Sequence, residues 1–221
     1  MKKSLLAFLA LAILAIPTIC LAAPPTFGPY VSGFVGAAVT ADTDVTGSNF
    51  DDRVEFDPGI NIGGTVGFDY GFMRLEGELS YKQAEIARVI DRIGAETFRN
   101  VDGRIGALAV MGNIFFDLHN PSPVTPYLGA GVGFAALHQS DTFGTSTAFG
   151  DRQLLYQSDD DSVFAYQAGA GLEIALSSML SLDLSYRYFR TSRASFNEDT
   201  NIDNELRFES HNGAVGIRVK F

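Results

Sequence analysis

Residues 72–82 constrain the fold more tightly than any other part of the chain. Met73, Leu75, Leu79 and Tyr81 share one parity there, and Arg74, Glu76, Glu78, Ser80 and Lys82 share the other. A period of two belongs to an extended strand, whose successive side chains point to opposite faces. The pattern recurs along the chain. Ile60, Ile62, Val66, Phe68 and Tyr70 oppose Asn61, Gly63, Thr65, Gly67 and Asp69, and Phe164, Tyr166, Ala168, Ala170, Leu172, Ile174 and Leu176 oppose Gln167, Gly169, Gly171, Glu173 and Ala175. Leu180, Leu182, Leu184, Tyr186 and Tyr188 oppose Ser181, Asp183, Ser185 and Arg187.

Alternation alone fits two architectures. In a water-soluble sandwich the charged face meets solvent; in a membrane barrel the apolar face meets lipid and the charges fill the lumen. Strand length and link length separate them. The spacing predicts strands at Tyr30 to Thr40, Gly59 to Tyr70, Phe72 to Gln83, Asp102 to Leu118, Pro126 to His138, Ser162 to Leu176, Met179 to Arg190 and Leu206 to Phe221. Most reach the roughly 9 to 11 tilted residues that cross a bilayer, where soluble strands centre near 5 or 6. The links alternate between short (around Tyr70 to Phe72, His119 to Thr125, Ser177 to Ser178) and long (Ala41 to Pro58, Ala84 to Val101, Gln139 to Asp161, Thr191 to Glu205). Short turns at one rim and long loops at the other are the asymmetry of a transmembrane barrel, with the short turns and both termini on the periplasmic side. The expectation is all-β: an eight-stranded antiparallel up-and-down transmembrane β-barrel over residues 23–221, preceded by a cleaved signal peptide at 1–22.

The signal peptide rests on Lys2 and Lys3, the apolar run from Leu5 to Ile19, and small residues Cys20 and Ala22 before a cut after Ala22. Pro17 argues against a retained transmembrane helix, and Ile19 before Cys20 against lipidation. Cleavage removes the single cysteine, so a disulfide framework is excluded. It also removes two of 16 basic residues against 26 acidic ones, shifting the net charge from -10 to -12. Such an acidic chain excludes nucleic acid as a natural partner.

The last strand sets Val215, Ile217, Val219 and Phe221 against Asn212, Ala214, Gly216, Arg218 and Lys220. Its ending, Gly-Ile-Arg-Val-Lys-Phe221, resembles the aromatic-terminated assembly signal of bacterial outer-membrane proteins. The segments Thr125-Pro-Tyr-Leu-Gly-Ala-Gly-Val-Gly-Phe134 and Ser185-Tyr-Arg-Tyr188 resemble recurring pieces of the OmpA/OmpX-like outer-membrane barrel family. The resemblance covers essentially all of 23–221. It implies residence in the outer membrane of a Gram-negative bacterium, contact with outer-membrane lipids and lipopolysaccharide, and handling by the barrel assembly machinery through Val215, Ile217, Val219 and Phe221. It says little about activity, because this scaffold serves several unrelated roles.

In a lipid-facing barrel Arg74, Glu76, Glu78, Lys82, Arg104, Glu173, Asp183, Arg187, Arg218 and Lys220 point inward. An eight-stranded lumen is just wide enough to be filled by side chains, and buried charges persist only when paired. A salt-bridged plug is therefore expected in place of an open pore. Gly129, Gly131, Gly133, Gly169 and Gly171 fall on inward positions, where missing side chains relieve crowding. Tyrosines at strand ends suit an interfacial girdle, which Phe and Tyr must build alone because Trp is absent. Catalysis has weak support. His119 lies in a short-turn link and His138 and His211 near the other rim, while Ser210 beside His211 has the opposite facing. The lipid A deacylase pattern His-x-Ser-Asn is not matched at His211. The loop acids Asp42, Asp44, Asp51, Asp52 and Asp159 to Asp161 lack EF-hand spacing, and Phe143, Phe149 and Tyr156 could serve partner binding. The reading is a non-enzymatic envelope protein with a structural or surface-interaction role, no cofactor or metal, and an unidentified extracellular ligand. A narrow porin-like channel and an outer-leaflet lipid-modifying enzyme are the alternatives.

Overall fold

The computed structural model describes residues 27–46, 51–91, 96–148, 150–196 and 204–221. The segment 1–22, expected to be a signal peptide, and Phe149 lie outside these residues. Eight long strands form the wall: β1 (Gly28–Thr40), β3 (Asp51–Asp69), β4 (Met73–Asp91), β6 (Arg104–Asp117), β7 (Val124–Gln139), β10 (Asp159–Ala175), β11 (Leu180–Phe196) and β12 (Asn204–Lys220). Four short strands, β2 (Thr43–Thr46), β5 (Glu96–Asp102), β8 (Thr142–Ser146) and β9 (Arg152–Tyr156), belong to the long links.

Each long strand pairs antiparallel with the next, and β1 closes on β12 in register from Tyr30 opposite Lys220 to Thr40 opposite Ser210. Closure leaves the eight-strand wall without an edge, so the strands can satisfy their backbone hydrogen bonds where water is absent. Outward side chains are apolar and exposed: Val66 is 64% accessible, Val110 61% and Phe134 67%. On β6 the outward run from Gly106 to Phe116 is ~25 Å tall at about 3.3 Å per residue and about 40° of tilt, matching the apolar band of such barrels.

Aromatic side chains gather at the two margins of that band. The Phe68 and Tyr70 rings stand 4.8 Å apart at the short-turn end, while Phe134 packs edge-on against Phe164 and Tyr186 and Tyr188 pack on His211 towards the other end. At the short turn between β3 and β4, Gly71 has φ +90° and its N–H donates to Asp69 Oδ1 at 2.7 Å, a conformation that favours glycine.

The long links differ from expectation. β3 begins at Asp51 and β4 ends at Asp91, while β11 runs to Phe196, so the wall continues beyond the apolar band. Above the rim β5, β8 and β9 extend the sheet outward from β4. Three register shifts adjust the projecting wall, one of them an extra residue on β4 between Ile86 and Arg88, opposite the step from Phe56 to Glu55. An extra residue on β3 between Asp57 and Ile60 accommodates Pro58, which cannot donate to the ladder, and turns Val54 inward. The third extra residue lies on β11 between Arg190 and Arg193.

Candidate functional site

The lumen has two layers, and each follows from the inward residues of the strands that bound it. Towards the short-turn end those residues are ionic. Arg218 on β12 binds Glu173 through Nη1 and Asp183 through Nη2 at 3.2 Å, with Glu76 at 3.7 Å. Arg74 on β4 reaches Asp117 at 3.0 Å and Glu173 at 3.3 Å. Arg187 on β11 pairs with Glu78, which also accepts from Asn113 at 3.0 Å and Gln167 at 2.9 Å. Lys220 bridges Asp69 at 3.2 Å and Glu173 at 3.0 Å.

Two tyrosines hold this network in place. Tyr30 donates to Glu76 at 2.5 Å and lies 4.7 Å from the Arg218 guanidinium, and Tyr127 donates to Asp183 at 2.8 Å beneath Arg74 at 4.5 Å. A charged plane over a ring face gains from the ring quadrupole, most of all where water is excluded. Glycine makes the room: a Cβ at Gly171 would strike the Tyr127 ring and hydroxyl, and one at Gly67 would strike Tyr30.

Towards the long-link end the lumen is apolar. Ile86, Ile105, Leu137, Val163, Phe189 and Phe208 form one buried cluster, with the Phe189 and Phe208 rings packed edge-on at 6.1 Å. Met111 and Ala109 carry it down to the ionic layer. Lys82 marks the boundary, donating to Ser80 at 2.7 Å with its ammonium 4.3 Å from the Phe189 ring.

Nine of the ten expected lumen residues lie in the interior: Arg74, Glu76, Glu78, Lys82, Glu173, Asp183, Arg187, Arg218 and Lys220. Arg104 does not. On β6 the inward positions are Ile105, Ala107, Ala109, Met111, Asn113, Phe115 and Asp117, so Arg104 faces outward, exposed, 4.0 Å from Glu85. Sequence reasoning left out Asp69, Asp117, Tyr30, Tyr127, Asn113 and Gln167. Parity alone places all six on inward faces, and searching every inward polar or tyrosine side chain would have found them.

Outside the wall, polar pairs ring the upper margin of the apolar band. Besides Arg104 and Glu85, His138 Nδ1 lies 2.6 Å from Asp160 and Arg190 Nε 3.3 Å from Glu209. Ser210 is buried and faces the lumen, whereas His211 faces outward with Nδ1 2.7 Å from the Tyr186 hydroxyl. The two stand on opposite sides of the wall and form no nucleophile and base pair. Among the described residues no group of three His, Cys, Asp or Glu side chains converges to hold a metal ion, and Asp42 pairs with Arg53 at 2.9 Å.

A closed wall with an exposed apolar exterior and buried ions defines an integral membrane β-barrel of the bacterial outer-membrane type. The match of residues 6–221 to the family described as outer membrane protein beta-barrel domain makes the assignment specific: the chain belongs to that family and is an integral outer-membrane protein. Among curated proteins it is similar to outer membrane protein PagN of Salmonella typhimurium, 28% identical over 177 residues that span 72% of this chain and 73% of PagN. Among solved structures it is similar to OprG of Pseudomonas aeruginosa (TM-score 0.59, 13% identity, 88% of this chain and 96% of OprG) and to Neisserial surface protein A (TM-score 0.52, 17% identity, 88% and 97%). At these identities the two structures share the fold.

Proposed function

We propose that the protein is a closed, non-catalytic barrel that acts through its surface, as a structural component of the outer membrane and a platform for contacts outside the cell. The observation that carries this reading is the filled lumen. Paired ions occupy one half and a packed apolar cluster the other, from Lys220 and Asp69 at one end to Phe189 and Phe208 towards the other. Moving water or a solute through would mean breaking ion pairs buried in a medium that cannot replace them, and then opening a dry, packed layer.

The projecting wall supports a role at the surface. Among the described residues β9 pairs only with β8, which leaves a strand edge above the membrane beside exposed Leu154. Free edges offer backbone groups to an extended partner segment. The partners that fit this reading are outer-membrane lipids, including lipopolysaccharide, the assembly machinery during biogenesis, and an extracellular ligand.

Planar-bilayer recording of the purified barrel tests the proposal. Silent membranes are expected, and steady single-channel currents would replace it with a solute channel. The non-catalytic part has its own test: His211→Ala should leave the acylation pattern of outer-membrane glycolipids unchanged, and an altered pattern would point to an enzyme.

A further inference from the structure

The outer edge of β9 has a defined backbone pattern. Ser146 N–H donates to the Asp151 carbonyl at 2.9 Å, and Gly144 stands opposite Gln153 in the same ladder. Backbone groups of successive strand residues point to alternate sides, so Asp151 and Gln153 face β8 while Arg152 and Leu154 turn their N–H and C=O groups away from it. Among the described residues no strand pairs with that side of β9. The β10–β11 ladder stops at Ala165 opposite Thr191, and above that level β11 pairs with β12 alone among the described residues.

Exposed edges are commonly blunted by lysine, proline or an inward-pointing charge. β9 reads Arg-Gln-Leu-Leu-Tyr and has no such guard. Its one charge is engaged within the sheet, with Arg152 3.3 Å from Asp102 and 5.4 Å from the centre of the Phe143 ring. Leu154, in the middle of the strand, is 53% accessible, whereas Leu155 on the other face packs against the apolar cluster. The surroundings are acidic: residues 140–161 hold five aspartates against one arginine. Asp151 stands at one end of β9, its Oδ2 accepting from the Gln153 amide at 2.7 Å. Asp141 stands at the other, its Oδ1 accepting from Ser158 N–H at 2.8 Å. Both donors are neutral and do not cancel the charge.

We propose that β9 docks an extended, basic polypeptide segment of another protein, one in which an apolar side chain lies between lysines or arginines. The segment pairs with the backbone of Arg152 and Leu154, its apolar side chain meets Leu154, and its cations reach Asp151 and Asp141 at the two ends. Main-chain pairing supplies affinity in strand addition and side chains supply the choice of sequence. The acidic corner raises the rate of encounter with a cationic segment. The inference rests on the projecting wall being a surface for contacts outside the cell, and gives the chemistry of the partner. It is independent of whether the lumen is sealed.

The test uses the folded full barrel in detergent micelles and the fluorescence anisotropy of three labelled peptides. The first is Lys-Lys-Thr-Val-Thr-Lys-Lys, the second replaces every lysine with glutamate, and the third is the first with alternate backbone amides N-methylated. Wild-type protein should bind the first and hold the other two at least roughly tenfold more weakly, since N-methylation keeps the charge and removes the edge hydrogen bonds. The D141N/D151N double variant should bind the lysine peptide roughly tenfold more weakly, the order expected of two exposed ion pairs. Leu154→Pro, which deletes an edge N–H and leaves the β8 side of the ladder intact, should abolish binding. Equal binding of the N-methylated peptide would reduce the effect to charge attraction and overturn the proposal. So would tight binding of the glutamate peptide, or a double variant that folds and binds as wild type does. Failure of every peptide to bind would also overturn it, while silent bilayers would still stand as the separate measure of the closed barrel.

Discussion

The Lys82 ammonium stands 4.3 Å from the centre of the Phe189 ring, at the level where the lumen changes from ionic to apolar. On one side Glu78 and Arg187 pair within a hydrogen-bonded layer, and on the other Phe189 meets Phe208 in a dry one. A lysine stem buries its methylenes among apolar neighbours while its charged end keeps polar contact, so this single side chain belongs to both layers. The layers close the barrel by different physics and should respond to different substitutions.

Phe189→Ala removes one of the phenylalanine rings of the apolar layer and one wall of the Lys82 site. A loss of ~3 to 5 kcal/mol is expected in reversible urea unfolding, in line with truncating a buried aromatic in a packed core. A change below about 1 kcal/mol would mean that the outer half of the lumen is hydrated.

Glu173 binds Arg218, Arg74 and Lys220. Glu173→Gln leaves three buried cations short of a carboxylate and should lower the unfolding free energy by ~3 kcal/mol or more. Glu85→Gln, on an exposed pair 4.0 Å from Arg104, should be indistinguishable from wild type in the same titration. Equal effects would contradict the division between interior and exterior ions.

A Cβ at Gly171 collides with the Tyr127 ring and hydroxyl and with the backbone carbonyl oxygen of Leu184. Gly171→Ala is expected to cost ~1 to 3 kcal/mol through displacement of Tyr127 from Asp183 and crowding of the Leu184 backbone. Because the collision includes the hydroxyl, adding Tyr127→Phe should make the two changes less than additive. Strict additivity in the double-mutant cycle would show that Tyr127 is not what Gly171 makes room for.

The eight-strand wall was readable because its polar inner face and apolar outer face give a period of two. Where that contrast vanishes, so does the reading. From Arg104 to Met111 the chain runs Arg-Ile-Gly-Ala-Leu-Ala-Val-Met, apolar on both faces because this stretch lines the dry layer inside and meets lipid outside. Nothing within that stretch reveals which parity is inward; Asn113 and Asp117 further along β6 fix it and set Arg104 outward, against expectation. The apolar layer was missed for the same reason, since Ile105, Leu137 and Phe208 look like more lipid-facing side chains. The extensions of β3, β4 and β11 past the band are obscured by register shifts at Asp57–Ile60, Ile86–Arg88 and Arg190–Arg193, each of which interrupts the alternation. Tyr30 and Tyr127 were legible by parity, but an inward tyrosine gains meaning only once the guanidinium over its ring is known.

Site-directed spin labelling tests the central claim most directly, and the chain is suited to it because no cysteine follows Cys20. Labels at Val132→Cys and Ser80→Cys in lipid vesicles should behave oppositely towards oxygen and alike towards a water-soluble nickel chelate. The label at 132 relaxes with oxygen dissolved in the acyl chains and is untouched by nickel, while the label at 80 is reached by neither. Nickel contact at 132 would remove the lipid-facing exterior, and nickel contact at 80 would show a water-filled lumen.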